Sequence, residues 1–250
     1  NDVFCASQAA KKLGVRKHMT PDAARKLVEP HGGRLIHAYW RQWPGPRIWY
    51  GPYNEASREL HAALRAAVAD VAAGAPIERA SVDEVYVDVS AAAADLAAAE
   101  RIAHALRERT RSLGLPLSIG VAPNRLLAKL ASNRAKLAAD GVFVVHDPAA
   151  LLAATPAHKL PGLGTKADAL RQLGVSSAAD LQAHGAEALI RALGLTAAAA
   201  EAALTRARGA DDTAVKEVVP QSCSVTSWLA HDVFARLAMK GPLGLDIGCG

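Results

Sequence analysis

Cysteine is nearly absent from this 250-residue chain: Cys5, Cys223 and Cys249 are odd in number and far apart. That spacing excludes a disulfide framework and a cysteine zinc site, and it points to a reducing compartment. Aromatic residues are scarce as well, at 4% against 51% hydrophobic residues overall. The core therefore rests on Leu, Val and Ala rather than on large rings, and the Ala-rich segments favour helix. No apolar run is long enough to span a bilayer, and no signal-peptide pattern is present, so no membrane partner is expected. The chain opens at Asn1 without a methionine and reads as a fragment or as the product of an incomplete gene model.

Charge is close to balanced. Lys and Arg number 29 against 24 Asp and Glu, a net +5, which permits a polyanionic partner without demanding one. The basic residues gather in Lys11 to Lys26, Arg101 to Arg111 and Arg125 to Lys136. Runs of this kind are also ordinary solvated helix faces. The length fits two or three small domains.

The run Ile77 to Ser90 carries adjacent carboxylates, Asp83 and Glu84, in an apolar setting. Val85, Val87 and Val89 alternate with Tyr86 and Asp88, the period-two pattern of a half-buried strand. Strict alternation would send Asp83 and Glu84 to opposite faces, so serving one site requires a turn or bulge between two strands. Such a pair either caps a solvated turn or holds a hard divalent cation, because Mg²⁺ takes one or two carboxylates plus substrate phosphates.

Local signals divide the rest. Ser7 to Val15 reads as a short helix stopped by Gly14, and Thr20-Pro21 opens another, with Thr20 as cap and Pro21 at the first helical position. Residues 32–52 hold Trp40, Trp43 and Trp49 among Gly and Pro, either a surface for stacking bases or the anchors of a loop; anchoring is the preferred reading. Helices are expected over Tyr53 to Ala73 and over Ala91 to Leu113, the latter with Arg107, Arg109 and Arg111 outward. Pro116 to Val121 reads as a strand, Leu126 to Arg134 as a helix opened by Pro123 or Asn124, and Gly141 to His146 as a final strand. That order describes a small sheet packed by helices, an α+β layer.

Residues 147–215 turn all-helical. Leu160-Pro161-Gly162-Leu163-Gly164-Thr165-Lys166 separates two helices, with Lys159 and Lys166 flanking the glycines. This is a helix-hairpin-helix candidate whose backbone N–H groups suit a DNA phosphate, or else an ordinary turn between helices. Val218 to Ser222 reads as a linker. Leu245 to Gly250 resembles the glycine-rich opening of a methyltransferase loop, with no helix after it.

Taken together these words resemble the Y-family translesion DNA polymerases, most nearly the eta type. Glu78 to Asp88 is similar to that family's catalytic hairpin, and Ser118 to Asn124 with Leu127 to Ser132 to its palm strand and helix. Ala9 to Val15 followed by Met19 is similar to its fingers, and Leu160 to Gly174 to its thumb. The resemblance implies an α+β fold: partial fingers over 1–55, a palm with a small antiparallel sheet over 56–146, and a helix-hairpin-helix thumb over 147–215. Residues 216–250 would be a linker and the start of a C-terminal DNA-binding domain. It also implies template-directed addition of dNTPs to a primer on a DNA template, with two Mg²⁺ ions (or Mn²⁺) as cofactor. Asp83 would ligate both ions and Glu84 the ion at the primer terminus. Lys11, Lys17 and Lys136 would contact the nucleotide, and Gly162, Gly164 and Lys166 the DNA. Lys11 and Lys17 stand where the family often carries arginine, keeping the charge and losing the bidentate fork. A sliding clamp would be met through regions outside this chain. The location would be the nucleus for a eukaryotic eta type and otherwise the cytoplasm. The family's first metal-binding aspartate is expected upstream of Asn1, Asp2 being a poor substitute; the competing readings are a catalytically impaired DNA-binding or scaffold protein on the same fold, and another Y-family branch of the kappa or deoxycytidyl-transferase type.

Overall fold

The computed structural model describes residues 2–42 and 46–217. The linker at Val218 to Ser222 and the glycine-rich tail lie outside the described residues. The chain divides between Glu59 and Leu60 into two compact units.

In the first unit, α1 (Gln8–Lys12) starts at Ser7, whose hydroxyl accepts from Ala10 N–H, and Gly14 ends the segment at φ +96°. Helix α2 (Pro21–Val28) has Thr20 as its cap and Pro21 in its first turn, as the local signals require. Val15, Ala24 and Val28 form its small core. Strands β1 (Trp40–Gln42) and β2 (Pro46–Ile48) pair as an antiparallel hairpin. Of the tryptophans expected to pin this loop, Trp43 lies outside the described residues, and Trp40 and Trp49 do not sink into a core, being 64% and 43% exposed.

Helix α3 (Gly51–Val71) carries the chain across the division. In the second unit, Leu64 and Val68 of α3 are buried with Leu106 against the inner side of a hairpin made by β3 (Ile77–Arg79) and β4 (Val85–Val87). The helix expected from Ala91 begins later. α4 spans Leu96–Arg109 because Asp95 accepts from Ala98 N–H and caps it there, and residues 91–94 form a turn. Arg107, expected on the solvent side, is half-buried instead. Its guanidinium donates to the carbonyl oxygens of Leu117 and Asp140 and lies against Gly141, which satisfies backbone groups at two strand ends.

The expected small antiparallel sheet resolves into separate pairs. The β3–β4 hairpin is antiparallel, whereas β5 (Ile119–Val121) and β6 (Val142–Val144) pair in parallel. The reason is topological. Helix α5 (Arg125–Ala135) lies between β5 and β6, and a strand–helix–strand crossover returns the second strand in the same direction.

The remaining helices are α6 (Pro148–Ala153), α7 (Ala167–Gln172), α8 (Ala186–Leu193) and α9 (Ala197–Ala207). They share one hydrophobic core with α5: Leu126, Leu127, Leu130 and Ala131 are buried together with Leu160, Leu163, Leu170, Leu181 and Leu189. Among the described residues no single helix is long and apolar enough to cross a membrane. The apolar pair α8 and α9 is bent by 116° and buries its leucines in that core.

Candidate active site

The hairpin sets its carboxylates through backbone geometry. Ile77, Glu78 and Arg79 face Val87, Tyr86 and Val85, and the Glu84 carbonyl accepts from both Ala80 N–H (2.9 Å) and Ser81 N–H (3.2 Å). The ladder therefore closes on a turn, and Asp83 and Glu84 sit in it rather than on opposite faces of a strand. Ser81 Oγ donates to Asp83 Oδ1 at 2.8 Å and accepts from Asp83 N–H at 3.3 Å, which orients the exposed Asp83 carboxylate.

Glu84 Oε1 pairs with Lys129 Nζ, from the middle of α5. The α5 N-terminus is fixed twice. Asn124 Oδ1 accepts from Leu127 N–H at 2.9 Å, and Asp211 Oδ2 accepts from Leu126 N–H at 3.1 Å. Burial works to raise the Asp211 pKa. The hydroxyl and N–H of Thr213, the Leu126 N–H and the charge of Arg125 outweigh it and hold the carboxyl below the usual range. Gly120 on β5 allows α5 to approach: a Cβ there would overlap the Ala128 carbonyl oxygen and the Ser132 nitrogen and would lie 2.7 Å from Ala131 Cβ.

A second ion pair braces the base of the hairpin. Glu78 Oε1 accepts from Arg125 Nη2 at 2.7 Å, and the Arg125 guanidinium lies 4.5 Å from the centre of the Tyr86 ring. Burial pushes the Tyr86 hydroxyl pKa up, against the lowering charges of Lys129 and Arg125. The segment after α9 returns over these groups: Gly209 O accepts from Asn124 Nδ2, Glu78 Oε2 from Lys216 N–H, and Glu217 Oε1 from Arg65 Nη1.

Lys136 follows α5 as its C-cap, two turns beyond Lys129, and is exposed with Nζ 3.5 Å from Asn133 Oδ1. In the first unit, Lys11 and Lys17 line one depression of about 390 Å³ together with Arg16, a cation the sequence reading did not single out. Asp2 pairs with His18 Nδ1 at 2.6 Å in that same unit, and this hydrogen bond holds its carboxyl below the usual range.

At Leu160 to Lys166 the structure has a turn, but the element before it is a 3₁₀ helix, Ala157–Lys159, rather than an α-helix. Gly162 takes φ +86°, Gly164 is exposed, and Lys166 is half-buried at the start of α7. Arg206 Nη1 from α9 donates to the Pro161 carbonyl oxygen at 3.2 Å and holds the turn against the bundle.

Asp83 and Glu84 are hard oxygen donors, the protein share that Mg²⁺ takes when phosphate and water oxygens complete its octahedron. Asp88, just after β4, turns back on Ser90, whose hydroxyl and N–H lower its pKa. Among the described residues no group of three or more His, Cys, Asp or Glu side chains gathers as a metal site. The pair thus fits a cation that draws its remaining ligands from a substrate.

Residues 1–133 match the impB/mucB/samB family. The chain is 34% identical over 241 residues to a DNA polymerase IV of Aeromonas hydrophila subsp. hydrophila, covering 94% of this chain and 62% of that protein. It is 39% identical over 168 residues to a DNA polymerase IV of Pseudomonas putida, covering 65% and 44%. The chain thus spans less than two thirds of the length of these relatives. Among solved structures, DinB from Sulfolobus solfataricus matches with a TM-score of 0.63 at 22% identity, covering 82% of this chain and 55% of that one. An insertion ternary complex of Dbh DNA polymerase matches with a TM-score of 0.64 at 22% identity, covering 84% and 56%. At that identity the likeness is one of fold. The two curated relatives are bacterial and bear the polymerase IV name, so the eta-type assignment and a nuclear location find no support.

Proposed function

This chain belongs to the impB/mucB/samB family, of the Y-family DNA polymerases, and from that premise we propose that it is the nucleotide-adding part of a lesion-bypass polymerase of the polymerase IV type. The reaction is transfer of a nucleotidyl group from a dNTP to a primer 3′-hydroxyl, directed by a DNA template. The observation that carries this reading is the Asp83–Glu84 pair on the β3–β4 turn, with Lys129 of α5 against Glu84.

Asp83 and Glu84 would hold the divalent ions, and Mg²⁺ there would supply charge stabilisation at the reacting phosphate. Ser81 keeps Asp83 aimed outward, and Lys129 keeps Glu84 from swinging away while the site waits for substrate. Lys136, Lys11 and Lys17 would neutralise triphosphate charge as point cations, with less angular discrimination than arginine forks. Gly162 and Gly164 leave the turn bare enough for a DNA phosphate to approach its backbone, and Lys166 adds charge beside it.

The test is primer extension by the protein carrying this chain, with Mg²⁺ supplied. Asp83→Asn and Glu84→Gln each lower the rate by at least about a hundredfold, since they remove groups that stabilise transition-state charge. Thermal stability stays unchanged in the Asp83 variant, whose side chain is exposed, and falls by no more than about 1 kcal/mol in the Glu84 variant, which loses its charge pair with Lys129. Undiminished extension in the Asp83 variant would sink the site assignment. Salt-sensitive binding of primer-template DNA with no extension even in the unsubstituted protein would instead favour a non-catalytic DNA-binding role.

A further inference from the structure

Residues 39–53 hold six of the chain's eleven aromatic residues, and no Asp or Glu occurs from Pro30 to Asn54. The same stretch carries Arg34, Arg41 and Arg47 with His31 and His37. In a protein with 24 acidic residues, an aromatic surface with no acidic residue in its own segment is a definite electrostatic choice.

The rings are exposed yet held. Tyr39, Trp40 and Tyr50 are 57%, 64% and 62% exposed. Tyr39 meets Trp49 edge-on, at 6.4 Å between ring centres and 87° between planes, and Tyr53 at 5.7 Å and 69°. Trp49 N–H donates to the Tyr39 carbonyl oxygen at 2.8 Å, and Tyr39 N–H donates to Tyr53 Oη at 3.2 Å. Edge-on contacts fix the ring positions, and the exposures show that part of each ring stays open to solvent. One step along the ladder Trp40 is the register partner of Ile48, and positions 41 and 47, both arginine, are partners next to them.

A purely apolar patch would be ambiguous. Rings left partly open to solvent, in a stretch of sequence that carries three arginines and no carboxylate, match one ligand chemistry, unpaired bases on a phosphate backbone. We propose that the β1–β2 hairpin is a binding site for single-stranded DNA, with Trp40 and Trp49 as stacking platforms. The choice of DNA over RNA rests on the polymerase reading; the stacking surface itself does not.

Fluorescence anisotropy of a labelled oligothymidylate of about a dozen nucleotides, titrated with the full chain, tests this. Replacing both rings (Trp40→Ala with Trp49→Ala) raises Kd at least about tenfold, whereas Trp40→Phe with Trp49→Phe stays within about threefold of the parent. Both variants leave the melting temperature and the affinity for blunt duplex DNA unchanged. Unaltered oligothymidylate affinity in the alanine variant overturns the proposal, and so does an equal loss on duplex DNA. Tighter binding of oligouridylate overturns the choice of DNA, and a dimer that the alanine variant dissolves makes the hairpin a self-association surface instead. Asp83→Asn is the control: it retains oligothymidylate binding whether or not it loses primer extension, so the two readings fail separately.

Discussion

The two ion pairs at the hairpin differ in what surrounds them, and that decides what each contributes. Lys129 and Glu84 are 34% and 42% exposed at their side chains, a setting in which a pair contributes between about 0 and 1 kcal/mol. Lys129→Met should therefore shift the urea midpoint by less than about 1 kcal/mol of stability, and its function is to orient Glu84. Arg125 and Glu78 are 20% and 13% exposed, and Arg125 also covers the Tyr86 ring. Removing Arg125 strands a half-buried carboxylate, so Arg125→Ala should cost about 2–4 kcal/mol in the same urea titration. The carboxylate pair was legible in the sequence because Asp83 and Glu84 are neighbours in an apolar run that had to bend. Their supports were not: Lys129 lies 45 residues from Glu84, and Arg125 47 residues from Glu78. No local period links positions so far apart.

Among the elements, α5 has the most constraints on its placement. Gly120 permits its contact with β5, and the overlap a side chain would create is with backbone atoms that cannot rotate away. Gly120→Ala should destabilise the protein by about 2–3 kcal/mol, measured by chemical unfolding, and should reduce primer extension because Lys129 rides on the displaced helix. The Asp211 carboxylate at the helix start has a depressed pKa in the folded state. Its contribution is fully present above the unfolded-state value and is lost as pH falls through the folded one. Asp211→Asn should therefore flatten the acid side of the stability profile below about pH 4 and cost about 1 kcal/mol at neutral pH. The caps at Ser7, Thr20 and Asn124 could be read from the sequence because each acts three residues away. The Asp211 contact spans 85 residues and could not. The parallel pairing of β5 with β6 is a different case. The strand–helix–strand order was visible and carried the answer, and only the assumption of a single antiparallel sheet hid it.

At the scale of the second unit, α5 beside the candidate site shares its core with the helices that follow it in the chain. Leu181, fully buried beyond α7, belongs to the same cluster as Leu126 and Leu130 beside the candidate site. Leu181→Ala should cost about 2–5 kcal/mol, and loss of primer extension on heating should track the global unfolding transition rather than precede or follow it. The order of folds along the chain was legible because helical and strand periods change at the right places. The common core was not, since leucines at helical spacing record that a face is buried but not which neighbour buries it.

The returning segment has a consequence for how the protein is made. The Glu78 carboxylate waits for the Lys216 N–H, a partner 138 residues downstream. At ribosomal rates of about 5–20 residues per second, the hairpin is synthesised on the order of ten seconds before this bond can form. During that interval Ile77, Val85 and Val87 have α3 and α4 to pack against, but Glu78 lacks its final contact. The hairpin that carries Asp83 and Glu84 is thus among the earlier parts of the second unit to be translated and among the last to be completed.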